Sequence, residues 1–121
     1  MEKYTREELK EALRVVSSTI SNCKKMQPKF NEGTSQHTLL KNRIKALYIS
    51  KLLITSEDVV GVYTKEELKE AIAPVYSIIS KCEKAQLKFV EGTSNHTRIK
   101  NILKAMYISK SLIADEISKR D

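Results

Sequence analysis

The chain has 121 residues, of which 40% are apolar and 31% charged, and its formal net charge is +7. This length suits one domain, residues 1–121, that buries a core without disulfides or a metal. No stretch approaches the roughly 18 apolar residues of a membrane span. The N-terminus lacks the apolar run of a signal peptide, and two cysteines make no disulfide framework. The composition therefore predicts a helix-rich cytoplasmic protein with buried, reduced thiols.

The chain contains an internal repeat, residues 4–57 and 63–116. At a shift of 59 positions, 34 of the 54 aligned pairs are identical. Cys23 recurs as Cys82, and the segment 29–38 recurs as 88–97. The two copies should therefore fold alike, whether the duplication is natural or engineered.

The first predicted helix begins with a capping box. The Thr5 hydroxyl can accept from the amide of Glu8, whose carboxylate can reach back to the Thr5 amide. Tyr4 and Leu9 occupy the two positions of a hydrophobic staple. The same device recurs at Tyr63, Thr64, Glu67 and Leu68. Two helices should therefore start 59 residues apart.

An apolar stripe with spacings of three and four residues follows the first cap. Its members are Leu9, Leu13, Val16, Ile20, Cys23, Gln27 and Phe30. Gly33 should end this helix, because a glycine adopts positive φ at least cost there. Gln27 and its copy Gln86 would fix the register between packed helices.

Thr34 or Ser35 should cap the second helix. Its stripe is Leu40, Ile44, Leu47 and Ile54, and the small residues Ala46 and Ser50 would permit a neighbouring helix to approach closely. This helix is predicted to run past Thr55 toward Val60 and to end at Gly61.

The second copy should differ in two places. Pro74 replaces Val15 and is expected to kink the third helix, because proline removes a backbone donor and crowds the previous turn. The fourth helix should fray after Ile117.

Short turns at 31–35 and 90–94 force antiparallel neighbours. The predicted fold is an all-α, antiparallel up-down-up-down four-helix bundle of two tandem helical hairpins with pseudo-two-fold symmetry. Both Glu-Gly-Thr-Ser turns would lie at one end.

The positive charge is concentrated around these turns. Residues 22–51 contain seven basic residues and one acidic residue, and residues 81–110 contain seven and two. The two segments carry +6 and +5, so the other 61 residues sum to −4. This distribution favours an acidic partner.

The turns combine free helix N-terminal amides with hydroxyls, histidines and lysines, a set that suits an anion. The residues of this candidate site are Lys29, Thr34, Ser35, His37 and Lys41, with Lys88, Thr93, Ser94, His96 and Lys100 in the second copy. Ordinary turn and capping chemistry explains the same residues, and the histidines would then serve as helix-start hydrogen bonders.

One face of the second helix adds Lys45 and Tyr48, which recur as Lys104 and Tyr107. Lysines for phosphates beside an aromatic ring for a base resemble a small nucleic-acid surface. Alternatively, each tyrosine packs over lysine stems and the lysines keep the protein soluble.

No residue pattern indicates an enzyme, a cofactor or a metal site. Each histidine stands alone in its own turn, and no Cys-x-x-Cys or His-x-x-x-His spacing occurs. The first hypothesis is a small non-enzymatic protein that binds a polyanion, with nucleic acid as the leading candidate. The alternative is a protein–protein interaction module, a regulator or inhibitor. Either would have no membrane partner and be a monomer or weak homo-oligomer.

Overall fold

The computed structural model describes residues 3–55 and 61–120. Four α-helices make up most of this part: α1 (Arg6–Met26), α2 (Ser35–Ile54), α3 (Lys65–Gln86) and α4 (Ser94–Lys119). No strand occurs in these two ranges, so the all-α prediction is confirmed. None of the described helices is long and apolar enough to cross a membrane.

The helices pack as expected for a bundle. Both α1 and α3 contact α2 and α4, and α2 also packs against α4. Within the described ranges, α1 and α3 do not pack against each other. The pair α2–α4 therefore forms the centre of the molecule, and α1 and α3 flank it.

Both predicted capping boxes are present. The Thr5 hydroxyl accepts from the Glu8 amide at 3.0 Å, and the Glu8 carboxylate accepts from the Thr5 amide at 3.0 Å. In the second copy the corresponding bonds join Thr64 and Glu67 at 3.1 and 2.9 Å. These bonds satisfy amides at the helix start that have no intrahelical partner.

The predicted end of the first helix was wrong. α1 stops at Met26, and Pro28 lies in a short 3-10 turn, Gln27–Lys29. Gly33 does have positive φ, +93°, but it precedes the N-cap of α2 and does not end α1. α3 stops at Gln86, one residue beyond the equivalent of Met26, although it has no proline there, so Pro28 is not required to end the helix. Gln27 and Gln86 consequently lie at half-buried helix ends and not on a packed stripe.

The other ends differ by a few residues from expectation. α2 ends at Ile54, and its predicted continuation toward Val60 falls on residues 56–60, which lie outside the described ranges. α3 continues through Pro74 as one helix. α4 extends to Lys119, two residues beyond Ile117.

The core is aliphatic and contains small residues on the two central helices. Its largest fully buried side chains include Leu47, Leu68, Met106 and Ile113. The small predicted positions are also buried, as are their copies: Ala46, Ser50, Ala105 and Ser109. The Ser50 hydroxyl donates to the Ala46 carbonyl at 2.9 Å and that of Ser109 to the Ala105 carbonyl at 2.8 Å. Each serine thus satisfies its hydroxyl within its own helix.

A larger side chain at Ser109 should destabilise the fold. Ser109 is fully buried, so Ser109→Leu has no space to occupy and should lower the free energy of unfolding by about 1–3 kcal/mol. Urea denaturation followed by circular dichroism measures the change. Ala114→Leu on the exposed face of α4 is the control and should stay close to wild type. An unchanged midpoint for Ser109→Leu would contradict the tight packing.

Candidate nucleic-acid interface

We call residues 27–41 and 86–100, which include the first two turns of α2 and α4, the first and second corners. Thr34 is the N-cap of α2; its hydroxyl accepts from the His37 amide at 3.3 Å and donates to the Asn31 carbonyl at 2.7 Å. Thr93 caps α4 with the same distances, to the His96 amide and the Val90 carbonyl. The predicted threonine caps are confirmed, and both hydroxyls are engaged within their turns.

The remaining predicted corner residues are mostly open to solvent. Ser35, Ser94 and the lysines Lys29, Lys41, Lys88 and Lys100 are exposed, while His37 and His96 are half-buried. The Ser35 hydroxyl lies 3.3 Å from the side-chain oxygen of Gln36. Both histidines take part in capping through the backbone, as the simpler interpretation of these turns expects.

The helix starts at the two corners carry no acidic residue in their first turn, whereas α1 and α3 each carry two glutamates there. A helix N-terminus bears a partial positive charge from its aligned peptide dipoles. At α1 and α3 the glutamates offset this charge, and at α2 and α4 none does. Glu32 and Glu91 lie exposed in the corners themselves and reduce the local positive charge.

The lysines predicted further along the helices have structural partners. Lys45 Nζ lies 2.7 Å from a Glu67 carboxylate oxygen, and Lys104 Nζ lies 3.6 Å from one of Glu8. Each lysine therefore pairs with the capping-box glutamate of the other repeat. Both lysines remain about half exposed, with side-chain exposures of 51% and 61%.

These contacts keep the capping-box carboxylates ionised. The hydrogen bond from Lys45, followed by that from the Thr64 amide, lowers the pKa of Glu67. The pKa of Glu8 is lowered first by the Thr5 amide and then by other contacts that include Lys104. The Glu67 carboxylate in turn raises the pKa of Lys45.

The two predicted tyrosines also contact the preceding helix of their own hairpin. The ammonium of Lys24 donates to the Tyr48 hydroxyl and lies 4.8 Å from the ring centroid. The Tyr107 hydroxyl donates to Glu83 at 2.5 Å, and this bond raises the pKa of Tyr107. Position 24 is lysine and its copy, position 83, is glutamate. The tyrosine face of the first hairpin is therefore the more positive of the two.

Arg43 was not among the predicted residues. It is half-buried, its Nη2 donates to the Ser77 hydroxyl at 3.2 Å, and its buried Nε has no protein partner. Burial raises the pKa of the thiols of Cys23 and Cys82, and the Arg43 charge partly offsets this in both. The only sequence signal is that Arg43 corresponds to Ile102 in the other copy.

Both cysteines are free thiols; Cys23 is buried and Cys82 half-buried. Because their pKa is raised, the unreactive protonated thiol is favoured. Residues 3–55 and 61–120 contain no group of three histidine, cysteine, aspartate or glutamate side chains that could hold a metal.

No protein-family model, curated protein or solved structure matches this chain. The two repeats of the chain therefore serve as comparisons for each other.

The capping-box hydrogen bonds of Glu8 and Glu67, together with their ion pairs to Lys104 and Lys45, should make stability fall in acid. The pKa of Glu8 and of Glu67 is lower in the folded chain than its ordinary value of 4.5. The unfolded chain therefore binds more protons as the pH falls, so this stabilisation is present above pH 4.5 and is lost as the pH drops through the folded values. Glu8→Gln with Glu67→Gln should lower the urea midpoint at neutral pH and flatten its dependence between about pH 3 and pH 5.

Glu7→Gln with Glu66→Gln is the control, because it removes the same charge from the same helix turns without touching a capping box. This control variant should retain more of the dependence of the urea midpoint on pH. Equal flattening by both double variants would show that net charge, and not these contacts, governs the acid loss.

Proposed function

We propose that this chain is a small non-enzymatic protein that binds a polyanion, with nucleic acid as the leading candidate, through a basic end built from the two corners and the adjoining faces of α2 and α4. One observation carries the proposal: α2 and α4 start without first-turn acidic residues and are flanked by exposed lysines. Backbone amides and ammonium groups together suit phosphate oxygens. The four lysines are Lys29, Lys41, Lys88 and Lys100.

Within this proposal, Lys45 and Lys104 contribute less than the four lysines of the corners. A phosphate that took either one would have to break its ion pair with Glu67 or Glu8. Their ion pairs are partly exposed and individually weak, so they attract phosphates at longer range. Tyr107, 47% exposed, retains a ring face on which a base could stack, whereas Tyr48 is half-buried beside Lys24.

The proposal requires both corners at one end, as in an up-down-up-down bundle. Contacts between neighbouring helices support this order. Between α1 and α4, Glu8 meets Lys104, and Lys3, just before α1, meets Asp115. The residue numbers therefore rise in opposite directions, as in an antiparallel pair. From α3 to α4, Glu83 meets Tyr107 while the Tyr63 carbonyl accepts from Arg120 at 2.7 Å.

A pseudo-two-fold relation between the repeats is supported by the exchanged ion pairs. A shift of 59 residues converts Glu8 into Glu67 and Lys45 into Lys104. Each repeat therefore gives the same glutamate to, and receives the same lysine from, the other repeat. Such reciprocal contacts are typical of an isologous interface. Two corners related in this way would present their positive charge together.

Charge reversal at the corners should weaken polyanion binding. Lys41→Glu with Lys100→Glu should weaken binding to a short DNA duplex by at least about tenfold, because two phosphate contacts become repulsive. If four lysines each neutralise a phosphate, the wild-type slope of log K against log salt is about −3 to −4, and the variant loses about 2 of it. Fluorescence anisotropy at several salt concentrations measures both quantities, and a single-stranded RNA serves as the second probe.

Lys10→Glu with Lys69→Glu is the matched control, because these exposed residues are also repeat equivalents and change the net charge by the same amount near the starts of α1 and α3. This control variant should weaken binding to the DNA duplex much less. Equal losses in both variants would reduce the interaction to net charge alone, and no binding by wild type at low salt would refute the proposal.

The distance between the corners tests the arrangement directly. Spin labels at Glu32→Cys and Glu91→Cys, with Cys23 and Cys82 replaced by alanine, should lie about 15–25 Å apart, because packed helix axes are 8–10 Å apart. Corners at opposite ends would be separated by the full helix length, about 30 Å or more for some 20 residues. Pulsed electron resonance distinguishes the two values, and a distance in the longer class would remove the shared basic end.

A second candidate function is a protein–protein interaction module. The second corner exposes Leu87 by 88%, Val90 by 74% and Phe89 by 37%, and exposed apolar clusters mark interaction surfaces. The first corner has Pro28 and Asn31 at the positions of Leu87 and Val90. A protein partner held there would resist salt and would be lost on Leu87→Gln with Val90→Asn, whereas binding to DNA would not.

A further inference from the structure

An open groove of about 560 Å³ lies between α2 and α3. A cavity of this size is within the range of small-molecule sites. Its lining is aliphatic in the middle, with polar groups at the edge. The lining residues are Leu39, Asn42, Lys45, Ala46, Ile49, Glu67, Glu70, Ala71, Ala73, Pro74 and Ser77.

The repeat provides an internal comparison for this groove. Shifting each of its 11 lining residues by 59 positions gives residues that all line two small cavities between α1 and α4, of about 150 and 10 Å³. The same surface therefore exists twice, but it is open between α2 and α3 and nearly closed between α1 and α4.

Three substitutions at the lining account for the difference in volume. Leu39 stands where the other groove has Arg98, Ala73 where it has Arg14, and Pro74 where it has Val15. Two long basic side chains are thus absent from the α2–α3 groove. Ala73 is the decisive change, because its equivalent Arg14 is part of an ion pair.

In the closed groove, Arg14 Nη2 lies 2.6 Å from a Glu11 carboxylate oxygen and its Nε lies 3.1 and 3.2 Å from the two oxygens. Hydrogen bonds from Arg14 are the first cause that lowers the pKa of Glu11. The open groove keeps the carboxylate, as Glu70, but has alanine in place of the arginine. Among the described residues, Glu70 forms no hydrogen bond or salt bridge in its place; the charge of Lys45, which is paired with Glu67, acts on it only at longer range.

We propose that the α2–α3 groove binds a small organic cation, an amine or guanidinium on an apolar body. Its charged group takes the place that Arg14 occupies in the other repeat and pairs with Glu70. Its apolar body lies on the accessible side chains of Leu39, Ala73 and Pro74. The neighbouring Glu67 is already paired with Lys45 at 2.7 Å, so the groove has one carboxylate to offer and selects a single positive charge.

The proposal does not depend on polyanion binding, because the groove lining shares only Lys45 with the predicted anion site. It concerns a free small molecule of opposite charge to the partner of the corners. Exposed ion pairs contribute little by themselves, so apolar contact within the groove is needed for affinity. The Glu70 carboxylate supplies the preference for a cation.

Benzylguanidinium is a suitable probe, with the neutral benzylurea of nearly the same shape as the control ligand. A titration followed by amide chemical shifts in NMR should show benzylguanidinium perturbing residues around Glu70, Ala73 and Ser77, and benzylurea binding about threefold to fivefold more weakly. Glu70→Gln should remove the difference between the two ligands. Ala73→Arg should abolish binding of both, because it restores the arginine of the closed groove.

A gain-of-function variant provides the converse test. Arg14→Ala with Arg98→Leu gives the α1–α4 groove the lining of its repeat equivalent at these two positions and should create a second set of shifts around Glu11. Lys41→Glu with Lys100→Glu should leave the benzylguanidinium titration unchanged, so failure at the corners and failure in the groove are distinguishable. No saturable shifts with wild type, or equal affinity for the cation and the urea, would overturn the proposal.

Discussion

The close packing of α2 against α4 is the constraint on which the rest of the structure depends. Both central helices carry a buried alanine and a buried serine four residues apart, and each serine bonds back to its own helix. The hydroxyls therefore need no partner on another helix, and the small side chains let neighbouring helices approach; Ala46 lies toward α3 and Ala105 toward α1. α1 and α3 are left on the flanks, and each of them forms a groove with the central helix of the other repeat.

This arrangement determines which predicted site residues remain accessible. The side-chain face of α2 that carries Lys45 lies beside the first turn of α3, and that of α4 beside the first turn of α1, so Lys45 and Lys104 meet capping-box glutamates. Lys45 and Lys104, which the sequence pattern predicts as phosphate ligands, therefore also form part of the contact between the repeats. Within residues 3–55 and 61–120, the lysines of the corners form no ion pair of this kind, and their charge adds to that of the helix starts.

The parts of the fold that were predictable depend on local chemistry. A capping box and a threonine N-cap are determined within four residues of sequence, and the apolar periodicity of α1 and α2 identifies most buried positions, including Val16, Ile20 and Leu47. The ends of α1 and α3 were not predictable in the same way. Gly33 and Gly92 looked like helix ends, but the chain leaves the helix at Met26 and Gln86 because it must cross to the next helix.

The same distinction between local and long-range contacts applies to the candidate sites. The corner residues are close together in sequence, so their combination was visible there. The significance of Glu70 was not, because it requires knowing that positions 70 and 73 of α3 line a groove shared with α2. Arg43 likewise has its partner, Ser77, 34 residues away. Contacts between elements of different repeats carry no periodic signal in the sequence.

Comparison of the two copies separates residues that maintain the fold from residues that distinguish the two surfaces. Several positions that maintain the fold are identical between the repeats, such as the capping-box threonine and glutamate and the buried alanine and serine of the central helices. Several departures change charge at exposed or groove positions instead: Arg14 against Ala73, Arg98 against Leu39, and Lys24 against Glu83. Two of these three enlarge one groove, and the third changes the charge beside one tyrosine. A duplicated fold needs none of these differences for its stability, so they alter the surface of one half and leave the shared fold unchanged.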